Sequence, residues 1–212
     1  MLGITFGAYN SYTDWALIPG RIEIQTPQIK TNKIDIEGAD SALDLTDFFG
    51  EVKYNDFPLS IPFTMLGEEA GYIARHTQIK NAIHGKKLKI ILDDDKSFFY
   101  LGRLTVGSLK KEKGYASLTI DADCEPYKYK AEKTTVTQAI TGAGAVRLTN
   151  GRKYVVPEIT ATAAFTLAFN GYTWAIQAGS YTLPELELVE GVNTINVTGT
   201  GTITFTYQEG GL

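Results

Sequence analysis

Hydrophobic and polar positions change period twice between Asn81 and Arg103, NAIHGKKLKIILDDDKSFFYLGR, and the rest of the first half reads as what packs around that stretch. Just upstream, Tyr72, His76, Ile79 and Ile83 recur at spacings of four, three and four. That spacing predicts a helix over residues 68–83 with one partly apolar face. Glu68 and Glu69 fall in its first turn, where a helix dipole favours acids, and Gly85 supplies a left-handed stop. From Lys86 the period becomes two, with Leu88, Ile90 and Leu92 alternating against Lys87, Lys89 and Ile91, which is the pattern of a strand. Asp93, Asp94 and Asp95 then predict a turn, and Phe98 to Val106 predicts a returning strand rich in aromatic and β-branched residues.

Shorter alternations precede this unit. Leu2 to Tyr9 and Tyr12 to Leu17 predict two strands around a corner, with Phe6, Tyr9, Tyr12 and Trp15 supplying large apolar surface. Ile22 to Ile24 and Ile34 to Ile36 predict two more around Pro27, residues 37–41 break the pattern as a loop, and Leu43 to Thr46 resumes it. Phe57 to Phe63 reads as a strand whose Pro58 and Pro62 confine it to an edge or a strand end. Tyr115 to Ala122 alternates again. The expectation is a β-rich first domain with one principal helix.

After Lys133 the signals are almost all strand and turn. Asn150-Gly151 and Asn170-Gly171 predict hairpin turns, and Gly199-Thr200-Gly201 separates two further strands in the same manner. Roughly seven or eight short strands at spacings near ten predict an antiparallel β-sandwich. The fold class expected is therefore mainly β, a β-rich α+β chain of two domains.

Composition places the boundary. Residues 1–133 hold 17 of the 20 Lys and Arg and 19 of the 24 Asp and Glu. The charged fraction falls from roughly 27% there to about 10% in residues 134–212, where threonine becomes frequent. Domains of residues 1–133 and 134–212 are expected. Both are mildly acidic, without the basic excess of a phosphate-binding surface, so nucleic acid is not expected as a direct ligand. Cys124 is the single cysteine, which excludes an internal disulfide and predicts a small core residue. The start, MLGITFGAYNSYTDW, lacks a signal-peptide pattern, and no segment reaches the roughly 18 apolar residues of a membrane span.

Candidate chemistry is sparse. His76 lies on the helix stripe and is expected to pack on the sheet, and His84 in the last turn can meet free carbonyls. A zinc motif starting at His76 would need Glu and His where Thr77 and Lys80 stand. Three adjacent carboxylates, Asp93 to Asp95, lack the alternating ligands and glycine of a calcium loop and read as a solvated turn. Asn196-Val197-Thr198 matches a glycosylation triplet by chance in a chain without a secretory signal. Tyr172 and Trp174 share a strand face and could stack on a sugar, although core packing is the preferred reading of the pair. No catalytic residue, metal site or cofactor is expected.

Certain segments, taken in order, resemble the distal tail protein (Dit) family of siphophages and prophages. They are Phe6-Gly7 with Tyr12-Thr13-Asp14-Trp15, Gly38 through Leu43-Asp44-Leu45-Thr46, and Asn81-Ala82-Ile83-His84-Gly85-Lys86. Leu92 to Asp95, Tyr100-Leu101-Gly102-Arg103, Cys124-Glu125-Pro126-Tyr127-Lys128, Asn150-Gly151 to Ile159 and the final GTITFTYQEGGL continue the match. The resemblance implies a tail-tube-like first domain and a galectin-like second one. It implies a homo-hexameric ring at the virion tail tip, between the tail tube protein and a tail-associated lysin, fibre or receptor-binding protein, as the hub of a baseplate. DNA would pass through such a ring without specific binding, and the chain would be made in the bacterial host cytoplasm with no membrane insertion. Loops at Gly38, Ala39 and Asp40 and at Asp93, Asp94 and Asp95 are the expected ring contacts. Three other readings stand beside it: a carbohydrate-binding module built on Tyr172 and Trp174, a β-sandwich hydrolase using Asp93 or Glu125, and a tail tube or tail completion protein.

Overall fold

The computed structural model of the chain describes residues 3–48, 50–67 and 69–212. Two compact units emerge, Met1–Pro126 with Leu212, and Tyr127–Gly211. Composition alone puts Tyr127 to Lys133 with the first domain. In the structure Tyr127 to Lys133 fall within the second of these units, where Lys128 and Tyr129 pair with Gly211 and Gly210.

The first unit runs β1 (Ile4–Phe6), β2 (Tyr9–Asn10), β3 (Leu17–Pro19), β4 (Glu23–Ile24), β5 (Lys33–Ile34), β6 (Leu43–Asp44) and β7 (Phe57–Met65). Then come α1 (Tyr72–Ile83), β8 (Lys87–Leu92), β9 (Phe98–Val106), β10 (Lys110–Glu112) and β11 (Tyr115–Cys124). Its main sheet is antiparallel with the order β2-β1-β8-β9-β11-β7-β3, while β10 lies on β11 and β4 on β7. Period two is strict in β7, where Phe57, Leu59, Ile61, Phe63 and Met65 are all buried. Its prolines do not confine it to an edge, since β11 pairs along its whole length and β3 and β4 share the other side. Pro58 lies beyond the Ile24–Leu59 pair, and Pro62 opposes the break between β3 and β4, so neither removes a needed donor.

Helix α1 packs Tyr72, Ile79 and Ile83 into this core and ends at Gly85, whose φ is +76°. It starts later than the spacing predicts. Glu69 belongs to a preceding 3₁₀ turn, Glu69–Gly71, and Glu68 lies outside the described residues. Of the predicted second strand, Tyr12 to Leu17, residues 12–15 form a turn and only Leu17 is strand, as the start of β3. The Asn10 side-chain oxygen accepts the Tyr12 and Thr13 N–H groups, and the Asp14 carboxylate accepts the Asn10 N–H.

The second unit runs β12 (Lys128–Lys130), β13 (Thr134–Asn150), β14 (Glu158–Ala161), β15 (Phe165–Phe169), β16 (Tyr172–Ile176), β17 (Gly179–Thr182), β18 (Gly191–Tyr207) and β19 (Gly210–Gly211). Strands β13 and β18 pair over 17 residues each. On the far side of β18, β15 pairs with Asn196 to Gly199 and β14 with Ile203 to Thr206. One buried cluster draws on both halves, Val146, Leu148, Ile195 and Val197 from one and Ile140, Ile159, Ile203 and Phe205 from the other. The long ribbon therefore folds on itself, as a β-sandwich requires. Gly199 and Gly201 mark the bend rather than a chain reversal. Asn170-Gly171 is the predicted hairpin, with φ of +48° and +83°. Asn150-Gly151 is not one: Asn150 ends β13 opposite Gly191, and its side-chain amide donates to the Lys153 and Leu188 carbonyls.

Candidate assembly surface

Between β4 and β7 the chain leaves the sheet as an arm. At its base Lys30 N–H donates to the Lys53 carbonyl and Asn55 N–H to the Gln28 carbonyl, both at 2.8 Å. Further out, Lys33 pairs with Asp44 and Ile34 with Leu43. Asp44 accepts the Thr46 N–H at 3.0 Å and lies 3.8 Å from Lys33. The Thr46 hydrogen bonds, and then the Lys33 charge, hold its carboxyl below the ordinary value. At the tip, Ala39 N–H donates to Ile36 O, and Gly38 has a φ of +83° with open space where a Cβ would stand.

Alternation puts Ile34, Ile36 and Leu43 on one face of this ribbon. They are 49%, 50% and 48% exposed, and Phe48 is 70% exposed. A two-stranded ribbon in water is marginal unless something covers its apolar face. Exposed apolar side chains grouped in this way make the ribbon a candidate interaction surface. The tip contains Gly38, Ala39 and Asp40; Ile34, Ile36 and Leu43, ordinary strand residues by their pattern, carry the apolar face. Their signal was an apolar alternation inside a heavily charged stretch bounded by Pro27 and Pro58.

The other candidate residues are placed far less suggestively. Asp93 is half-buried and serves its own subunit: its carboxylate accepts the Gly3 N–H at 2.6 Å and lies 3.6 Å from Lys96. Asp94 is exposed and Asp95 half-buried at the same turn. His76 meets the Gly107 carbonyl at 2.9 Å, consistent with packing on the sheet. His84 does not serve the helix carbonyls; its Nδ1 accepts the Val106 N–H at 3.0 Å. Glu125 is ion-paired with Lys87 at 2.6 Å. Among the described residues no group of three or more His, Cys, Asp or Glu could hold a metal, and no helix is long and apolar enough to cross a membrane.

Tyr172 and Trp174 do lie together on edge strand β16, with ring centroids 5.8 Å apart and planes 21° from parallel. They stack on each other, so each covers one face of its neighbour. A sugar platform needs rings side by side with their faces open, and here the exposed Tyr172 shields the half-buried Trp174.

Cys124 is fully buried, and its thiol is pushed up to about 12 by burial first and then by Asp123, Asp56 and Glu125. The unfolded thiol ionises near its ordinary value of about 8.5. Between those values the unfolded chain releases a proton that the folded one keeps, so stability falls as pH rises from about 9 towards 12. Denaturation midpoints of the first unit should be insensitive to this group from pH 7 to 8 and fall above about pH 9, the fall being smaller in Cys124→Ser. Iodoacetamide at pH 8 should leave the native thiol unmodified and label it in urea; rapid native labelling would contradict its burial.

No known family model matches the sequence, and no curated protein is similar to it. Among solved structures, the chain is similar to the crystal structure of SPP1 Dit (gp 19.1), described as a paradigm of the hub adsorption apparatus in phages infecting Gram-positive hosts. The TM-score is 0.72 at 16% sequence identity, covering 98% of this chain and 99% of that one. From end to end, the chain has the fold of a phage distal tail protein.

Proposed function

We propose that the chain is a structural protein of a phage tail tip, six copies closing into a ring that joins the tail tube to a lysin, fibre or receptor-binding protein. The observation that carries this reading is the arm, whose exposed apolar face has the form of a surface built to be covered by another copy. The shared fold supports the same role. A ring of head-to-tail contacts uses one flank of each subunit as donor and another as receiver, and it closes without a free end. The role is mechanical: no step of bond making or breaking is assigned to it, and DNA passes through the lumen without specific contacts.

Light scattering on the purified protein in low salt and at high concentration should give a species six times the 23.2 kDa chain mass. Negative-stain images should show six-fold rings with an open centre. Ile34→Ser with Leu43→Ser should abolish that species while leaving the thermal transition of the monomer in place. A natural protein that stays a single chain under these conditions would overturn the proposal, and open tubes of stacked rings would favour a tail tube role.

A further inference from the structure

We infer that the acidic tip of one copy's arm docks on the basic β10–β11 hairpin of the next copy, laying its apolar face into the groove beside that hairpin. This rests on the ring reading above and adds the receiving surface and the force that selects it. Residues 27–56 carry three lysines against seven aspartates and glutamates, a net charge of −4 that equals the formal charge of the entire chain. The remainder is neutral on balance, and its cations are unevenly used. Lys87 is paired with Glu125, Lys86 donates to the Ala82 carbonyl, Arg103 to Gly85 and Arg75 to Leu66. Lys110, Lys111 and Lys113, by contrast, crowd around the hairpin tip, all exposed. Among the described residues none of the three has an acidic partner.

Lys110 also lines a groove of about 380 Å³ with Gly20, Pro62, Thr64, Ser117 and Thr119. Strand β7 sets the distance between the two halves of the contact. The arm returns to the sheet at Phe57, whereas the groove lies at Pro62 to Thr64, five to seven residues further along. At about 3.3 Å per residue that is roughly 17–23 Å. Donor and receiver thus occupy opposite ends of one strand, an arrangement suited to a head-to-tail contact repeated from copy to copy. Opposite charge steers the tip to the hairpin, and like charge keeps two tips or two hairpins apart.

Two charge-reversed proteins test this. One carries Asp35→Lys, Glu37→Lys and Asp40→Lys on the arm, and the other Lys110→Glu, Lys111→Glu and Lys113→Glu on the hairpin. All six positions are exposed, so circular dichroism should match the natural protein. By light scattering in low salt, each variant alone should lose the ring mass, with at least a tenfold weaker assembly. An equal mixture should regain it, because a reversed arm meets a reversed hairpin and a natural arm a natural hairpin in alternate copies. Rings of the natural protein should also weaken between about 0.1 M and 1 M salt, as the screening length falls from about 10 Å to 3 Å. A variant that assembles normally, or a mixture of folded variants that does not recover, would sink the docking surface and leave the ring standing. A natural protein that never assembles would remove both.

Discussion

Trp15→Ala is expected to destabilise the first unit by about 3–5 kcal/mol, the usual cost of emptying a large aromatic site in a packed core. Trp15 is 1% exposed, with Phe6 stacked at 6.4 Å and Tyr9 at 5.4 Å between ring centroids. Phe6 in turn meets Phe63 edge-on at 6.2 Å, so the indole joins the N-terminal turn to β1 and β7. Collapse into the void is resisted by the backbone. Leu17 N–H donates to Ser11 O, Ala16 N–H to Tyr12 O, and Ala16 itself stands at a φ of +50°, which fixes the loop around the indole. Calorimetry should show the transition of the first unit falling by roughly 10–20 °C, while a transition belonging to the second unit keeps its position. Half-buried Trp174 provides the control: Trp174→Ala should cost the second unit markedly less and leave the first unchanged. Equal losses from the two substitutions would show that Trp15 is not the keystone that its burial implies.

The helix–strand–turn–strand unit was legible because each change of period matches a change of backbone. The left-handed Gly85, the acidic turn at 93–95 and the alternation of β8 and β9 all stand where the pattern puts them. Turn signals were less dependable, for a physical reason. Asn170-Gly171 and Asn150-Gly151 are the same dipeptide, yet only the first reverses the chain. Asn150 is 4% exposed and spends its side chain on two carbonyls, and Gly151 is needed for close approach, since a Cβ there would stand 2.6 Å from Gly210 O. A local code cannot distinguish a glycine that turns from one that makes room.

The arm shows the same ambiguity at a larger scale. Alternating Ile34, Ile36 and Leu43 look no different from Leu88, Ile90 and Leu92, and alternation reports only that one face is apolar. Whether that face meets the chain's own core or another molecule depends on the length of the paired strands and what packs over them. Here β5 and β6 pair through two residues each, and Ile34, Ile36 and Leu43 stay about half exposed. The resemblance to the distal tail family pointed to Gly38, Ala39 and Asp40 as a contact loop. Folding adds the apolar stem that makes such a loop an arm.

Gly199→Ala should be the most damaging single methyl in the second unit, by roughly 2–6 kcal/mol. Two costs combine. At a φ of +150° a side chain is strained by about 1–3 kcal/mol, and a Cβ there would stand 2.5 Å from the Phe165 ring and 2.6 Å from the Ala164 carbonyl oxygen. The carbonyl belongs to the backbone leading into β15, so relief requires moving the strand, and overpacking of this kind typically costs about 1–3 kcal/mol more. Gly142 separates the two contributions. It pairs with Gly199 across the ribbon and has a φ of +80°, but open space lies where its Cβ would be. Gly142→Ala should therefore cost only the backbone strain, about 1–2 kcal/mol. If the bend is what brings both halves of the long ribbon onto one core, Gly199→Ala will lower the denaturant midpoint of the second unit far more than Gly142→Ala. Equal effects would mean that crowding at Phe165 relaxes freely, and that the fold of the ribbon does not depend on a bare backbone at its corner.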